Sequence, residues 1–212
     1  MSRGRLATLA TWYDREVLAR ILDRGMKGVD AVRAPLLASA HGRVLEIGFG
    51  TGANLPFYGG DVTSLVAVEP SAGLAAHART RLARWGRPYE VVEQSASRPL
   101  PLAIASFDAA VITFVLCSAR HVAPLLAETR RLMRPGAPLY LAEHIVAEGS
   151  TLRAVQRTLR PAWKACLGGC DPTSDPRPAL VEAGFDVSAL TRVRLDMPVV
   201  VRPGLVGIAR AR

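Results

Sequence analysis

Apolar residues fall into short runs separated by longer amphipathic stretches, and this alternation sets the order of elements. Residues 5–40 carry Leu6, Leu9, Trp12, Tyr13, Val17, Leu18, Ile21 and Leu22 at roughly helical spacing. Gly25 and Gly28 interrupt that pattern, so two helices are expected. A strand follows at 43–47, and a helix is expected to begin near Asn54. The second strand, Leu65-Val66-Ala67-Val68, leads into a helix over 71–85 with Ser71 as its N-cap. A third strand lies near 89–93. Between Phe107 and Leu116 the apolar run Ala109-Ala110-Val111-Ile112 marks a central strand buried on both faces. A helix over 121–134, the turn Arg134-Pro135-Gly136 and a fifth strand at Leu139-Tyr140-Leu141 complete this part.

The pattern then changes. A helix is expected over 150–166, followed by a loop-rich insert marked by Gly168-Gly169 and by Pro161, Pro172, Pro176 and Pro178. A short helix at 177–183 stops at Gly184, and two strands, 185–195 and 199–210, follow. Strands that alternate with helices require a parallel sheet with right-handed crossovers. The last two strands, joined by a short turn, pair as an antiparallel hairpin. The expectation is one α/β domain over 1–212 with a Rossmann-like, mostly parallel seven-stranded sheet and helices on both faces.

Composition narrows the setting. A chain of 212 residues, half of them hydrophobic, buries a core without staples. Three cysteines, Cys117, Cys166 and Cys170, make no even framework and read as reduced intracellular thiols. Cys166 and Cys170 could share a helical face, but no second Cys or His pair accompanies them, so packing is expected and no metal. Net charge is +9, almost all from arginine, with Lys27 and Lys164 the exceptions. The arginines are scattered along amphipathic segments, which describes a solvated surface and not a nucleic-acid tract. No window has the run of about 18–20 apolar residues needed to span a bilayer. With no signal-peptide pattern, a cytoplasmic protein is expected.

The densest chemistry lies in Val44-Leu45-Glu46-Ile47-Gly48-Phe49-Gly50-Thr51-Gly52-Ala53-Asn54. An apolar strand ends near a carboxylate and enters alternating glycines, which turn tightly and let the backbone approach a ligand. Seventeen residues after Gly52, the second strand ends on Glu69. A glycine-rich turn with an acid at the next strand tip holds a nucleoside, the acid taking the ribose hydroxyls. Glu46 would repel the pyrophosphate of a dinucleotide, but it suits a cationic ligand that bears an amino group and a sulfonium.

That spacing resembles the first motif of class I S-adenosylmethionine-dependent methyltransferases, whose parallel sheet ends in an antiparallel hairpin. The later pieces are Phe114-Val115-Leu116-Cys117-Ser118, Arg131-Leu132-Met133-Arg134-Pro135-Gly136, Glu143-His144, Pro161-Ala162-Trp163, Gly169-Cys170-Asp171 and Val201-Arg202-Pro203. Together they are similar to the mammalian methyltransferase-like alkyl thiol S-methyltransferases, over roughly residues 42–210. Those proteins begin with a hydrophobic anchor, whereas this chain starts almost directly at Thr11-Trp12-Tyr13, so insertion does not carry over. Contact of a basic helix with an anionic membrane surface remains open. The resemblance implies a helical cap at 1–40, a cofactor-binding half at 41–145, and a substrate-side half at 146–212 with its insert at 150–180.

For S-adenosyl-L-methionine, Glu46 is expected at the methionine end. Gly48, Phe49, Gly50, Thr51 and Gly52 shape the turn, and Glu69 takes the ribose. Asn54 and Pro70 flank these motifs and join the set. Many members carry an acid after the third strand, where this chain reads Gln94-Ser95-Ala96; Ser95 and the Ala96 amide are the candidate adenine contacts. Thr113 and Phe114 should border the methyl group. His144, at the tip of the fifth strand, is either a base for the acceptor or a hydrogen-bonded structural histidine. Glu143 either is exposed or orients that ring. Cys117 is expected to pack, Trp163 to cap the pocket or join the core, and Asp171 to cap the following helix. His41, His77 and His121 are expected to face solvent. The expected acceptor is a small hydrophobic molecule, foremost a thiol, with phospholipid amines or quinone precursors as the alternative. Nucleic acid is not expected: the stretch after the fourth strand reads Thr113-Phe114-Val115-Leu116, not an Asn-Pro-Pro-Tyr motif.

Overall fold

The computed structural model describes residues 11–212. Leu6 and Leu9 of the expected first helix lie outside the described residues. A π-helical stretch, Asp14–Leu18, runs into α1 (Ala19–Met26), and a 3-10 turn at Lys27–Val29 separates α1 from α2 (Asp30–Leu37). The break falls at Gly28, where a Cβ would collide with the Asp196 carbonyl, and not at Gly25, which sits in open space inside α1. The apolar stripe of this segment is only partly buried. Trp12, Tyr13, Ile21 and Leu22 are all exposed, with Trp12 at 57%.

Eight strands form one sheet: β1 (Gly42–Ile47), β2 (Val62–Val68), β3 (Tyr89–Val92), β4 (Ala109–Thr113), β5 (Pro138–His144), β6 (Phe185–Asp186), β7 (Leu190–Arg194) and β8 (Pro203–Ala211). Their order is β3-β2-β1-β4-β5-β8-β6, with β7 also paired to β8. The first five are parallel, whereas β8 runs antiparallel to β5, β6 and β7. The expected strand 185–195 is thus two strands. Asp186 pairs with Arg210 and Leu190 with Gly207, so three residues, 187–189, lie opposite two of β8, 208 and 209. This extra residue makes a bulge. Gly207 accommodates it, because a Cβ there would strike the Ala189 carbonyl.

The remaining helices are α3 (Ala72–Leu82), α4 (Val122–Leu132), α5 (Ser150–Cys166) and α6 (Arg177–Glu182). Ser71 caps α3 as expected, its hydroxyl accepting from Leu74 N. The helix expected at Asn54 is a single 3-10 turn, Leu55–Phe57. Pro56 supplies no N–H there, and Gly59-Gly60 follow at once. Pro161, read as a loop marker, lies inside α5, and α5 ends at Cys166 before two glycines at positive φ. Cys170 therefore leaves the helix, and it shares no helical face with the exposed Cys166.

Alternating residues of the parallel strands feed two cores. Leu45, Ile47, Ile112 and Leu139 pack with Leu126 and Leu132 of α4 on one face; Val44, Leu65, Val111 and Tyr140 pack with Leu37 and Leu82 on the other. Both faces being covered explains why β4 reads as an unbroken apolar run. Strand order reverses between β1 and β4, so their carboxyl ends open a crevice where such sheets bind ligands. Among the described residues, no helix is long and apolar enough to cross a membrane.

Candidate functional site

The loop after β1 fills that crevice. Gly48, Gly50 and Gly52 all have positive φ (70°, 58° and 83°). A Cβ on Gly48 would lie 2.9 Å from Val115 Cγ1 and closer still to Cγ2, so the loop rests against the turn after β4. Above Gly50 a Cβ would meet nothing nearer than the Gly48 carbonyl at 3.9 Å, which leaves a cradle open to a ligand. Glu69 clamps the loop from the next strand, one oxygen accepting from Gly50 N and the other from Ser71 N, each at 2.9 Å. Burial raises the Glu69 carboxyl above its usual range against those two bonds, and Asp14 adds to the rise.

Beneath the loop lies a buried polar hub. Asn54 Nδ2 donates to Glu46 Oε1 at 2.8 Å and to Thr113 Oγ1 at 2.9 Å, and Tyr58 Oη donates to Glu46 Oε2 at 2.5 Å. Arg33, 2% exposed, donates to Asn54 Oδ1 at 2.9 Å and stacks over Phe57. Burial pushes the Glu46 carboxyl up to about 7, although Tyr58, Asn54 and Arg33 all pull it down. Over the loop, Thr51 Oγ1 donates to Asp23 of α1, and Arg81 of α3 bonds to both. Phe114 closes β4 with φ 57°, a strained value for a residue with a side chain and a mark of functional sites.

Two clefts open along the same edge. One, of about 660 Å³, is lined by Pro70, Gln94, Ser95, Ser97, Arg120 and His121. The second, of about 770 Å³, lies between the 116–122 turn and the 164–174 segment, with Leu116, Cys117, Val122, Lys164, Gly169 and Asp171 among its walls. Arg120 lines both, so they are neighbours.

Residues 45–141 match the Methyltransferase domain family. Human thiol S-methyltransferase TMT1A is 33% identical over 175 residues, which cover 78% of this chain and 69% of that protein. This chain belongs to the S-adenosylmethionine-dependent methyltransferases. The methyltransferase is also 29% identical to a phosphatidylethanolamine N-methyltransferase of Cereibacter sphaeroides, over 66% of its own length and 72% of the relative's. Its fold matches a SAM-dependent methyltransferase of Thermotoga maritima with a TM-score of 0.65 at 20% identity, covering 95% of this chain and all of that one. The cofactor of this methyltransferase is S-adenosyl-L-methionine.

The fold brings the expected cofactor residues of the methyltransferase together around one loop. Glu46, Asn54 and Thr113 join in one network, and Glu69 grips Gly50. Phe49 turns into the core with Leu55 and Leu37, and a Cβ on Gly52 would lie 2.9 Å from its ring. Ala96 is buried, and Ser95 Oγ bonds Ser97 Oγ at 2.8 Å beside the smaller cleft. Other expectations change. Glu143 is fully buried and makes no hydrogen bond to the His144 ring, although the two groups attract each other electrostatically. It accepts from Val115 N and Leu116 N at 2.7 and 2.8 Å, and so it holds the turn after β4. Asp171 caps no helix, since α6 starts at Arg177. It accepts from Thr173 N and Oγ1 and ties that loop to Arg160 and Lys164 of α5. His77 is only half-exposed, with Nε2 2.6 Å from the Arg15 carbonyl. His144, 2% exposed, sits with Nε2 2.9 Å from Cys170 Sγ. Trp163 is half-buried, and its Nε1 donates to the same sulfur at 3.4 Å. Cys117, His144 and Trp163 hydrogen-bond this thiol and hold it near 5 against burial. Asp23, Arg33, Tyr58 and Arg81 carried no sequence signal for these contacts.

Proposed function

We propose that this methyltransferase transfers the methyl group to small hydrophobic thiols. In this reading the cofactor lies over Gly50, its ribose at Glu69, its adenine in the cleft beside Ser95 and Ala96, and its methionine end above the Glu46–Asn54 hub. The acceptor enters the 770 Å³ cavity. The observation that carries the reading is the wall of that cavity, where Leu116, Val122 and Ala165 supply apolar surface and Arg120 supplies positive charge beside the Lys164–Asp171 ion pair.

When bound, S-adenosylmethionine supplies an electrophilic methyl on a sulfonium. The protein's work is then mostly positioning, with the nucleophile about 3–3.5 Å behind the methyl carbon and water excluded. A thiol of pKa about 8.5 is partly ionised near neutrality, and cations around it increase the thiolate fraction. A bound cation favours the ionised forms of Glu46 and Glu69, which then balance its charge from below. The similarity to the thiol S-methyltransferases supports the same acceptor class.

A second reading, methylation of phospholipid amines, is favoured by the exposed Trp12, Tyr13, Ile21 and Leu22 and by the similarity to the bacterial lipid methyltransferase. The test uses labelled cofactor with a panel of alkyl thiols and phosphatidylethanolamine vesicles. Turnover of thiols without lipid turnover is expected, and activity on the lipid amine alone overturns the thiol reading.

A further inference from the structure

Three pieces of chain that carried the second-half likeness meet in space. Cys117 comes from the turn after β4, His144 from the last position of β5, and Cys170 from the loop after α5. Their ligand atoms lie within 4.8 Å of one another, and no other three His, Cys, Asp or Glu side chains among the described residues gather in this way. We propose that this triad is a binding site for a divalent metal of zinc's class, with a fourth position that faces the cavity and takes the acceptor's sulfur.

The donor set fits. Two thiolates and an imidazole suit zinc, and three protein ligands are the number that leaves one position for substrate. Bond lengths of about 2.3 Å to sulfur and 2.0 Å to nitrogen put tetrahedral ligands about 3.5–3.8 Å apart. The three ligand atoms lie within 4.8 Å of one another, and His144 Nε2 and Cys170 Sγ, 2.9 Å apart, would part by about 0.6 Å. The ring's other nitrogen, Nδ1, is buried with no hydrogen-bond partner. Metal binding at Nε2 releases the proton shared with Cys170 Sγ and leaves the ring's hydrogen on Nδ1.

The surroundings hold the ligands in place. The Glu143 carboxylate fixes the backbone at 115 and 116, Asp171 N donates to the Cys117 carbonyl at 2.8 Å, and Trp163 Nε1 reaches the Cys170 sulfur. Such supporting bonds orient metal ligands. Cys117 lines the cavity, as do Gly169 and Asp171 on either side of Cys170, so the triad borders the acceptor space.

This inference rests on the thiol reading for its fourth ligand. The acceptor thiol displaces a metal-bound water and releases its proton to solvent. The bound sulfur's electron pair forms the new bond to the methyl carbon. The bond from that carbon to the sulfonium breaks, its electron pair staying on the cofactor sulfur, which becomes neutral. The product thioether is a weak ligand, and water replaces it.

The test is cobalt titration of the chelator-treated full chain, read by absorption. Tetrahedral ligand-field bands and thiolate-to-cobalt charge transfer, saturating at one ion per chain, are expected. Added alkyl thiol should shift them, and Cys117→Ser, Cys170→Ser and His144→Ala should each lose them while still binding S-adenosylmethionine by calorimetry. The wild-type spectrum decides the matter even where a variant fails to fold. Absent bands, or bands that survive Cys170→Ser, overturn the site. Undiminished thiol turnover by metal-free protein overturns it too and leaves the thiol reading standing. Bands indifferent to every thiol, in a protein that turns over none, overturn the fourth-ligand assignment and the thiol reading together.

Discussion

Replacing Glu46 with glutamine should change how stability depends on pH. Glu46 is enclosed by Asn54, Tyr58 and Arg33, and burial outweighs their pull, raising its carboxyl from 4.5 to about 7. The folded state therefore keeps a proton that the unfolded chain releases in this interval. The stabilising contribution is full below the unfolded value of 4.5 and is lost as pH rises through about 7. At about 1.4 kcal/mol per unit, that shift corresponds to roughly 3 kcal/mol. A glutamine at this position cannot ionise, and its amide can accept from Asn54 and donate to Tyr58. The unfolding free energy of Glu46→Gln minus that of the wild type should therefore rise by about 3 kcal/mol between mildly acid and mildly alkaline solution. Urea denaturation of both proteins without cofactor, at closely spaced pH values, measures this difference and cancels every other titrating group. A difference that stays flat across the interval refutes the reasoning.

Gly48→Ala combines a left-handed backbone with an overlap on Val115, so a loss of at least about 2 kcal/mol is expected in thermal or urea unfolding. Asn54→Ala leaves Glu46, Thr113 and Arg33 each short of a partner; stability should fall by about 3 kcal/mol and cofactor affinity with it, by denaturation and calorimetry. Asp23→Ala removes a half-exposed acceptor shared by Thr51 and Arg81. It should cost under about 1 kcal/mol globally, yet speed tryptic cleavage within α1, and an unchanged digestion rate counts against α1 as a latch on the glycine loop.

What could be read from the sequence was local. The glycine loop with Glu46 and Glu69 showed because strand, turn and acid follow each other within one β-α-β unit. Ser71 announced α3 because a cap and its N–H are three residues apart, and the bounds of α5 followed from helical periodicity. The missed features depend on residues distant along the chain. Asp23 meets Thr51 across 28 positions and Arg33 meets Asn54 across 21, with no pattern near either pair to signal it. His144 and Cys170 are 26 residues apart, and the spacing that argued against metal ligands concerned Cys166, which faces solvent. The split of 185–195 into β6 and β7 had no mark of its own, because the allowance for it, Gly207, lies on the partner strand.

The position of β8 has a consequence for how the chain is made. The first five strands can assemble as they leave the ribosome, but the free edge of β5 waits for residues 203–211. Until then a long apolar strand is exposed to pairing with other nascent chains. Emergence of residues 203–211 is the moment at which that hazard closes, and stalling just before it should yield aggregates.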